Sequence, residues 1–318
     1  MENSAYGEAQ FSAYYEKNIR PLQEENDKRR HKYLVMFCLL ALLAAIFYPY
    51  LLWKIINNVF NNQQNNFWIG IALNLSGFAI ILLSAPVYFY KKTAKSGGIM
   101  QKFAEFFGSF SYFFEKSLSP EVLNNSFLFK TFDSVIGGDC FVGKYKDVGI
   151  TIAETKTMEE NYDAKAKKYK KRKLFQGVCI LLDMNKNFLG QTIVLKDKGF
   201  LNVLNKHGKL HKVALESVEF EKKFEVYSDN QIEARYLLTT AFMERILKLN
   251  DLYAGNSVEL SFMDNKLLLA ICTKENLFEA CSFFKSNVNK QQAMIIYRQF
   301  CTIFSIIEIL KLHQKTGL

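Results

Sequence analysis

The chain has 318 residues with 23% charged side chains and a net charge of +10, enough for one soluble domain with its own core beside a further module. Six scattered cysteines without a CxxC pair exclude a disulfide scaffold and fit reduced, mostly buried thiols facing a cytoplasm. The positive excess lies beside apolar segments and in one lysine-rich stretch, so attraction to anionic lipid accounts for it at least as well as a nucleic-acid partner.

Residues 1–32 are polar, with Phe11, Tyr15, Ile19 and Leu22 on roughly one helical face and Pro21 near the end, which predicts a short amphipathic cytoplasmic helix. Two uncharged apolar runs follow, 33–53 and 67–90, each long enough to cross a hydrocarbon core of about 30 Å. Lys28, Arg29, Arg30, His31 and Lys32 precede the first, Lys91, Lys92 and Lys95 follow the second, and the segment between them holds Lys54 alone. The positive-inside rule therefore places both termini in the cytoplasm. Tyr48, Tyr50, Trp53, Trp68, Tyr88 and Tyr90 sit where interface anchors are expected. The first run is longer than a signal-peptide core and ends in bulky PYLLW, so it is expected to stay uncleaved. Ala41, Ala44 and Ala45 on one run and Gly70, Ala72, Ser76 and Gly77 on the other allow close packing as an antiparallel hairpin, with Asn74 in need of a hydrogen-bond partner.

Residues 96–318 form the expected cytoplasmic domain. After Ser96-Gly97-Gly98, the residues Ile99, Phe103, Phe106, Phe107, Phe110, Phe113 and Phe114 recur at helical spacing and need a cover, from the domain's own core or from the lipid interface. From about Cys140 the period changes to two, with hairpin turns expected at Lys146-Asp147 and around Asp264-Asn265-Lys266. A helix is predicted over Thr240–Leu252, capped by Thr239 or Thr240, and a long one from about Asn289 to Leu312. Arg298, Glu308 and Lys311 make that last helix costly as a third span, so it is expected to dock on the sheet. The expected fold is α+β: a two-helix transmembrane hairpin, then a mainly antiparallel, barrel-like sheet of roughly seven or eight strands with an inserted helix and a long C-terminal helix.

Several fragments imitate catalytic motifs. Gly138 to Lys144 has GxxxxGK spacing, but Tyr145 replaces the magnesium-holding hydroxyl and a strand is expected where the phosphate-binding loop needs a helix. Ser282-x-x-Lys285, Ser228-Asp229-Asn230 and Lys315-Thr316-Gly317 echo the penicillin-binding motifs in the wrong order. His207 and His211 lack the intervening Glu of a zinc-protease helix, and no cysteine has a neighbouring His to act as its base. No catalytic residue, metal ligand or cofactor is assigned.

Two groups remain. Lys165, Lys167, Lys168, Lys170, Lys171, Arg172 and Lys173 form a basic run, preceded by Glu159, Glu160 and Asp163, and read either as a contact for anionic headgroups or nucleic acid, or as a solvated hairpin loop. Glu225, Asp229, Glu233, Arg235, Glu244 and Arg245 form a polar block, read as an ion-pair network or as a polar site. The segment Phe220 to Arg245, FEKKFEVYSDNQIEARYLLTTAFMER, resembles the signature of a family of bacterial membrane proteins, the domain of unknown function 3137. Thr240 stands where that family commonly has Pro. The resemblance runs from about residue 96 to the end, more weakly over the spans, and implies a bacterial inner-membrane location without implying an activity.

The expected function is a two-span protein presenting a binding or scaffold domain at the bilayer, with lipid, anionic headgroups or a protein as partner. The alternatives are an anchored enzyme with its site in 225–245 and nucleic-acid binding through 165–173.

Overall fold

The computed structural model describes residues 7–61, 80–90, 92–94, 98–163, 167–184, 187–197, 209–253, 256–273, 276–279 and 282–312. Lys165, residues 67–79 of the second apolar run, His207, His313 and the stretch 315–317 lie outside them. The chain divides into two compact units. One is Gly7–Lys102 with Glu279–Met294, and the other is built on Phe103–Phe278 and the C-terminal stretch that begins at Ile295.

The first unit is helical. Helix α1 (Glu8–Tyr14) passes through a π turn (Tyr15–Ile19) into α2 (Arg20–Asn61), and a further helix, α3, covers 80–90. The expected end of the N-terminal helix near Pro21 does not occur. Pro21 is the second residue of α2, in the turn that follows the π turn, where the Arg20 N–H donates to the Tyr15 carbonyl. The amphipathic segment and the first apolar run thus share one continuous helix. Among the described residues, two helices are long and apolar enough to cross a membrane, Glu8–Lys54 and Lys290–Leu310. No residue of the first one's apolar stretch is buried, against half for the second.

The second unit is α+β. Its nine described strands are β1 (Ser111–Lys116), β2 (Ser134–Tyr145), β3 (Val148–Asp163), β4 (Lys168–Asp183), β5 (Thr192–Lys196), β6 (His211–Val213), β7 (Phe224–Ser228), β8 (Val258–Met263) and β9 (Lys266–Cys272). They join in one sheet of order β1-β2-β3-β4-β9-β8-β5-β7-β6, antiparallel throughout. The sheet is open, which corrects the barrel-like expectation. Closure needs the outer strands to hydrogen-bond, and β1 and the three-residue β6 stand at opposite ends.

Helical spacing also misleads at Phe113 and Phe114. Helix α4 (Ile99–Phe106) ends before Gly108, which takes φ 123°, and both phenylalanines belong to β1. The two expected hairpin turns are present. Lys146 and Asp147 have φ of 47° and 65°, and Asp264 and Asn265 have 51° and 58°, the twist that two-residue hairpins require. At Gly177 a Cβ would come within 2.0 Å of the Ile271 carbonyl oxygen, so β4 and β9 approach there only because no side chain intervenes.

Three short helices, α5 (Pro120–Asn125), α6 (Val218–Glu221) and α7 (Gln231–Leu237), precede α8 (Thr240–Leu252), whose Thr239 side chain accepts from the Phe242 N–H at 3.3 Å. The last helix, α9 (Lys290–Leu310), lays Phe300 into an aromatic cluster with Phe107 (5.1 Å between ring centres), Phe141 (4.8 Å) and Phe278 (4.8 Å). One turn on, Phe304 stacks on Tyr145 at 4.6 Å. Phe106, Phe107 and Phe110 are therefore covered by the domain's own last helix, while Phe113 on β1 stays exposed. Near its end, Glu308 pairs with Lys146 of the first hairpin turn at 2.6 Å. Replacing Phe300 with Ala is expected to destabilise this unit by about 3–5 kcal/mol, measured by denaturant unfolding of the detergent-solubilised chain.

Candidate functional site

The residues of the polar block enter separate contacts. Glu225 is buried on β7, where its Oε1 takes Lys212 Nζ at 2.6 Å and its Oε2 accepts from the Tyr227 hydroxyl at 3.3 Å. The hydrogen bond that Lys212 donates to Glu225 raises the Lys212 pKa, and burial followed by the Glu225 charge raises that of Tyr227. Asp229 and Glu233 serve another purpose. Asp229 Oδ1 accepts from the Gln191 N–H at 2.7 Å and Glu233 Oε1 from the Leu189 N–H at 3.3 Å, while Gly190 sits between them at φ 83°. A Cβ at Gly190 would lie 2.4 Å from Asp229 Oδ1, so the glycine is what lets the turn approach the carboxylate.

Asn230 Oδ1 caps α7 through the Glu233 N–H at 3.1 Å. Arg245 donates to the Leu310 carbonyl at 3.4 Å, a cation at the C-terminal end of α9, and Arg235 and Glu244 face solvent. Four of the six residues are thus divided between a strand pair, a loop latch and a helix end, and the other two face solvent. Asp229→Ala is expected to cost about 1 kcal/mol and to speed hydrogen exchange at the Gln191 amide without changing exchange in β8 and β9.

The basic run is not a loop. From Lys168 onward it is part of β4, in register with β3: Asp163↔Lys168, Tyr162↔Tyr169, Asn161↔Lys170, Glu160↔Lys171, Glu159↔Arg172 and Met158↔Lys173. Lys171 Nζ reaches Glu160 Oε1 at 2.9 Å, and Arg172 sets Nε and Nη2 on Glu159 Oε2 at 2.9 and 2.7 Å. Lys173 donates to Gln176 Oε1 at 2.6 Å. The Tyr162 and Tyr169 rings meet edge to face at 5.2 Å, and both are largely exposed. Between Thr157↔Phe175 and Met158↔Lys173 the register shifts, and Leu174 has no residue opposite.

Two buried polar groupings join residues far apart in the sequence. In the sheet, the Tyr112 hydroxyl donates to Asp139 Oδ1 at 2.6 Å, and the Asp139 N–H donates to Glu154 Oε2 at 3.3 Å. In the helical unit, Arg30 Nε donates to Asp27 Oδ1 at 2.8 Å and Nη1 to the Phe283 carbonyl at 3.4 Å. The Asn287 N–H donates to Asp27 Oδ1 at 3.0 Å, and its side-chain amide donates to the Tyr90 hydroxyl. Asp-x-x-Arg at helical spacing is a readable signal; its partners lie far along the chain.

Burial works against the charge on Asp27, yet the hydrogen bonds from Arg30 and the Asn287 amide outweigh it and lower its pKa. A carboxyl held down in the folded state lends stability that is complete above its ordinary pKa of about 3.9 and is lost as pH falls through the lowered value. Asp27→Asn is therefore expected to flatten the loss of thermal stability below about pH 4 while lowering stability near neutrality, read from melting curves across that range.

Two of the thiols are buried and held protonated: burial pushes Cys140 up to about 11, against an opposing effect of Lys116, and Cys179 up to about 12. Among the described residues, no three His, Cys, Asp or Glu side chains gather to hold a metal. His211 is exposed on β6, and Gly138 to Lys144 lie on β2 with no helix following.

Comparison with curated proteins gives no match. A solved structure, the mycobacterial trehalose monomycolate transport factor A, is similar at 14% identity over 66% of this chain and 93% of its own, with a TM-score of 0.34. Residues 173–312, which carry most of β4 and everything described beyond it to Leu312, match the model of the family described as a protein of unknown function, DUF3137, the same family that the Phe220 to Arg245 block resembles.

Proposed function

We propose that the apolar runs 33–53 and 67–90 are two membrane spans, and that they hold the α+β domain on the cytoplasmic face of a bacterial inner membrane as a binding or scaffold module. The observation that carries this reading is the exposure of α2. Val35, Leu39, Leu42, Leu43, Ile46, Phe47, Tyr50, Trp53 and Ile56 all project outward, each between 49% and 63% exposed, on a helix with no polar face over that length. Such a surface is unfavourable in water and ordinary in hydrocarbon. Charge supports the direction: Arg29 and Lys32 line a cleft of about 420 Å³ with Tyr33, Met36 and Thr93, setting cations beside the start of the run, and Tyr50 and Trp53 lie toward its other end.

A binding role is favoured over an enzyme in 225–245 because Asp229 and Glu233 are engaged by backbone amides of a loop. The chain is expected to resist alkaline extraction from membranes. With the other cysteines changed to Ser, Asn61→Cys should react with an impermeant maleimide on intact spheroplasts, and the exposed Cys272 only after lysis. Release by alkali, or labelling of Cys272 in intact spheroplasts, would overturn the proposal.

A further inference from the structure

We propose that the end of the β3–β4 hairpin is a recognition arm for anionic phospholipid headgroups, an inference that deepens the membrane-anchored reading above and rests on it. Three observations define the arm. First, it leaves the sheet: β2 stops pairing with β3 at Ser134↔Met158 and β9 stops pairing with β4 at Gly177↔Cys272, so Glu159–Asp163 and Lys168–Lys173 are paired in strands only with each other. Secondly, it is basic. The sequence has seven cations between residues 165 and 173 against three acids between 159 and 163, so with Lys171 paired to Glu160 and Arg172 to Glu159 across the strands the segment keeps an excess of positive charge.

Thirdly, the register sorts the side chains. Tyr162 and Tyr169, 57% and 69% exposed, share one face of the ribbon with Glu160, Lys171 and Lys173. Glu159, Arg172, Asn161 and Lys170 occupy the other. A paired aromatic rung with Lys168 on its turn side and Lys171 and Lys173 on its sheet side matches the boundary between headgroups and acyl chains, where a tyrosine buries its ring and the ammonium groups remain beside phosphates.

The interleaved acids favour lipid over nucleic acid. Phosphates at the fixed spacing of a polynucleotide would be pressed against Glu159 and Glu160, whereas lipids diffuse laterally and bring their phosphates beside the cations alone. An anchor on the same chain also keeps headgroups at a high effective concentration, so a weak contact suffices.

The test uses the full chain in phosphatidylcholine nanodiscs, immobilised and exposed to vesicles of phosphatidylcholine alone or with phosphatidylglycerol. Failure of the chain to co-elute with nanodiscs would count against the anchor and not against the arm. With the anchor in place, binding to phosphatidylglycerol vesicles only, weakened by salt, is expected. Changing Lys168, Lys170, Lys171 and Lys173 to Ser should reduce it about tenfold or more. Tyr162→Ser with Tyr169→Ser should lower affinity and leave the salt dependence unchanged. Glu159→Gln with Glu160→Gln should strengthen binding about threefold, a gain that misfolding could not produce. Equal binding to both vesicle types, no loss on changing the lysines, no gain on neutralising the acids, or tighter capture of an RNA oligonucleotide than of vesicles would each overturn the proposal.

Discussion

The antiparallel ladder between β3 and β4 is the interaction on which most of the domain depends. It runs from Ile150↔Leu182 to Asp163↔Lys168 and changes character on the way. In its first half Ile152, Ala153, Val178, Cys179 and Ile180 are almost wholly buried between β2 and β9. In its second half the same hydrogen-bonding pattern continues while neighbours and burial fall away. A two-stranded ribbon is marginal in water by itself, and its exposed ion pairs add little individually. The outer half therefore stands because the inner half is locked into a sheet that α9 covers through Phe300 and Phe304.

How much of this was legible depended on whether each signal was local. The turns at Lys146-Asp147 and Asp264-Asn265 could be read because two polar residues between alternating runs must take positive φ, and the Thr239 cap because a hydroxyl stood directly ahead of a helical period. The α9 helix was readable as docked rather than spanning from Arg298, Glu308 and Lys311. By contrast β1 was hidden: Phe113 and Phe114 continue a helical spacing that Gly108 interrupts. The ribbon was hidden because a lysine-rich stretch has little strand propensity of its own, and the pairing of Lys171 with Glu160 and Tyr169 with Tyr162 exists only across the hairpin. No linear pattern joins Asp27 to Asn287.

The block that carries the family signature is compact in sequence and dispersed in space for a related reason. A strand, two capped helices and a turn occupy it in quick succession, so charged residues a few positions apart point in different directions. Glu225 serves a strand pair, Asp229 and Glu233 latch the turn at Gly190, and Arg245 meets the end of α9. A signature of this kind specifies how pieces of a domain are joined, which is compatible with a binding module and gives no reason to seek a cleft there.

Leu174 gives the ribbon a geometric origin. Because strand side chains alternate, one extra residue on one strand inverts which face all later residues of that strand occupy. Drawing Leu174 into the ladder opposite Met158, instead of leaving it bulged, would set Lys173 opposite Glu159, Lys171 opposite Asn161 and Tyr169 opposite Asp163, leaving Tyr162 across from Lys170. The charge of the hairpin would be unaltered. A single aliphatic residue at the exit from the sheet therefore acts as a parity switch, deciding whether the two tyrosines meet and which lysines stand beside them.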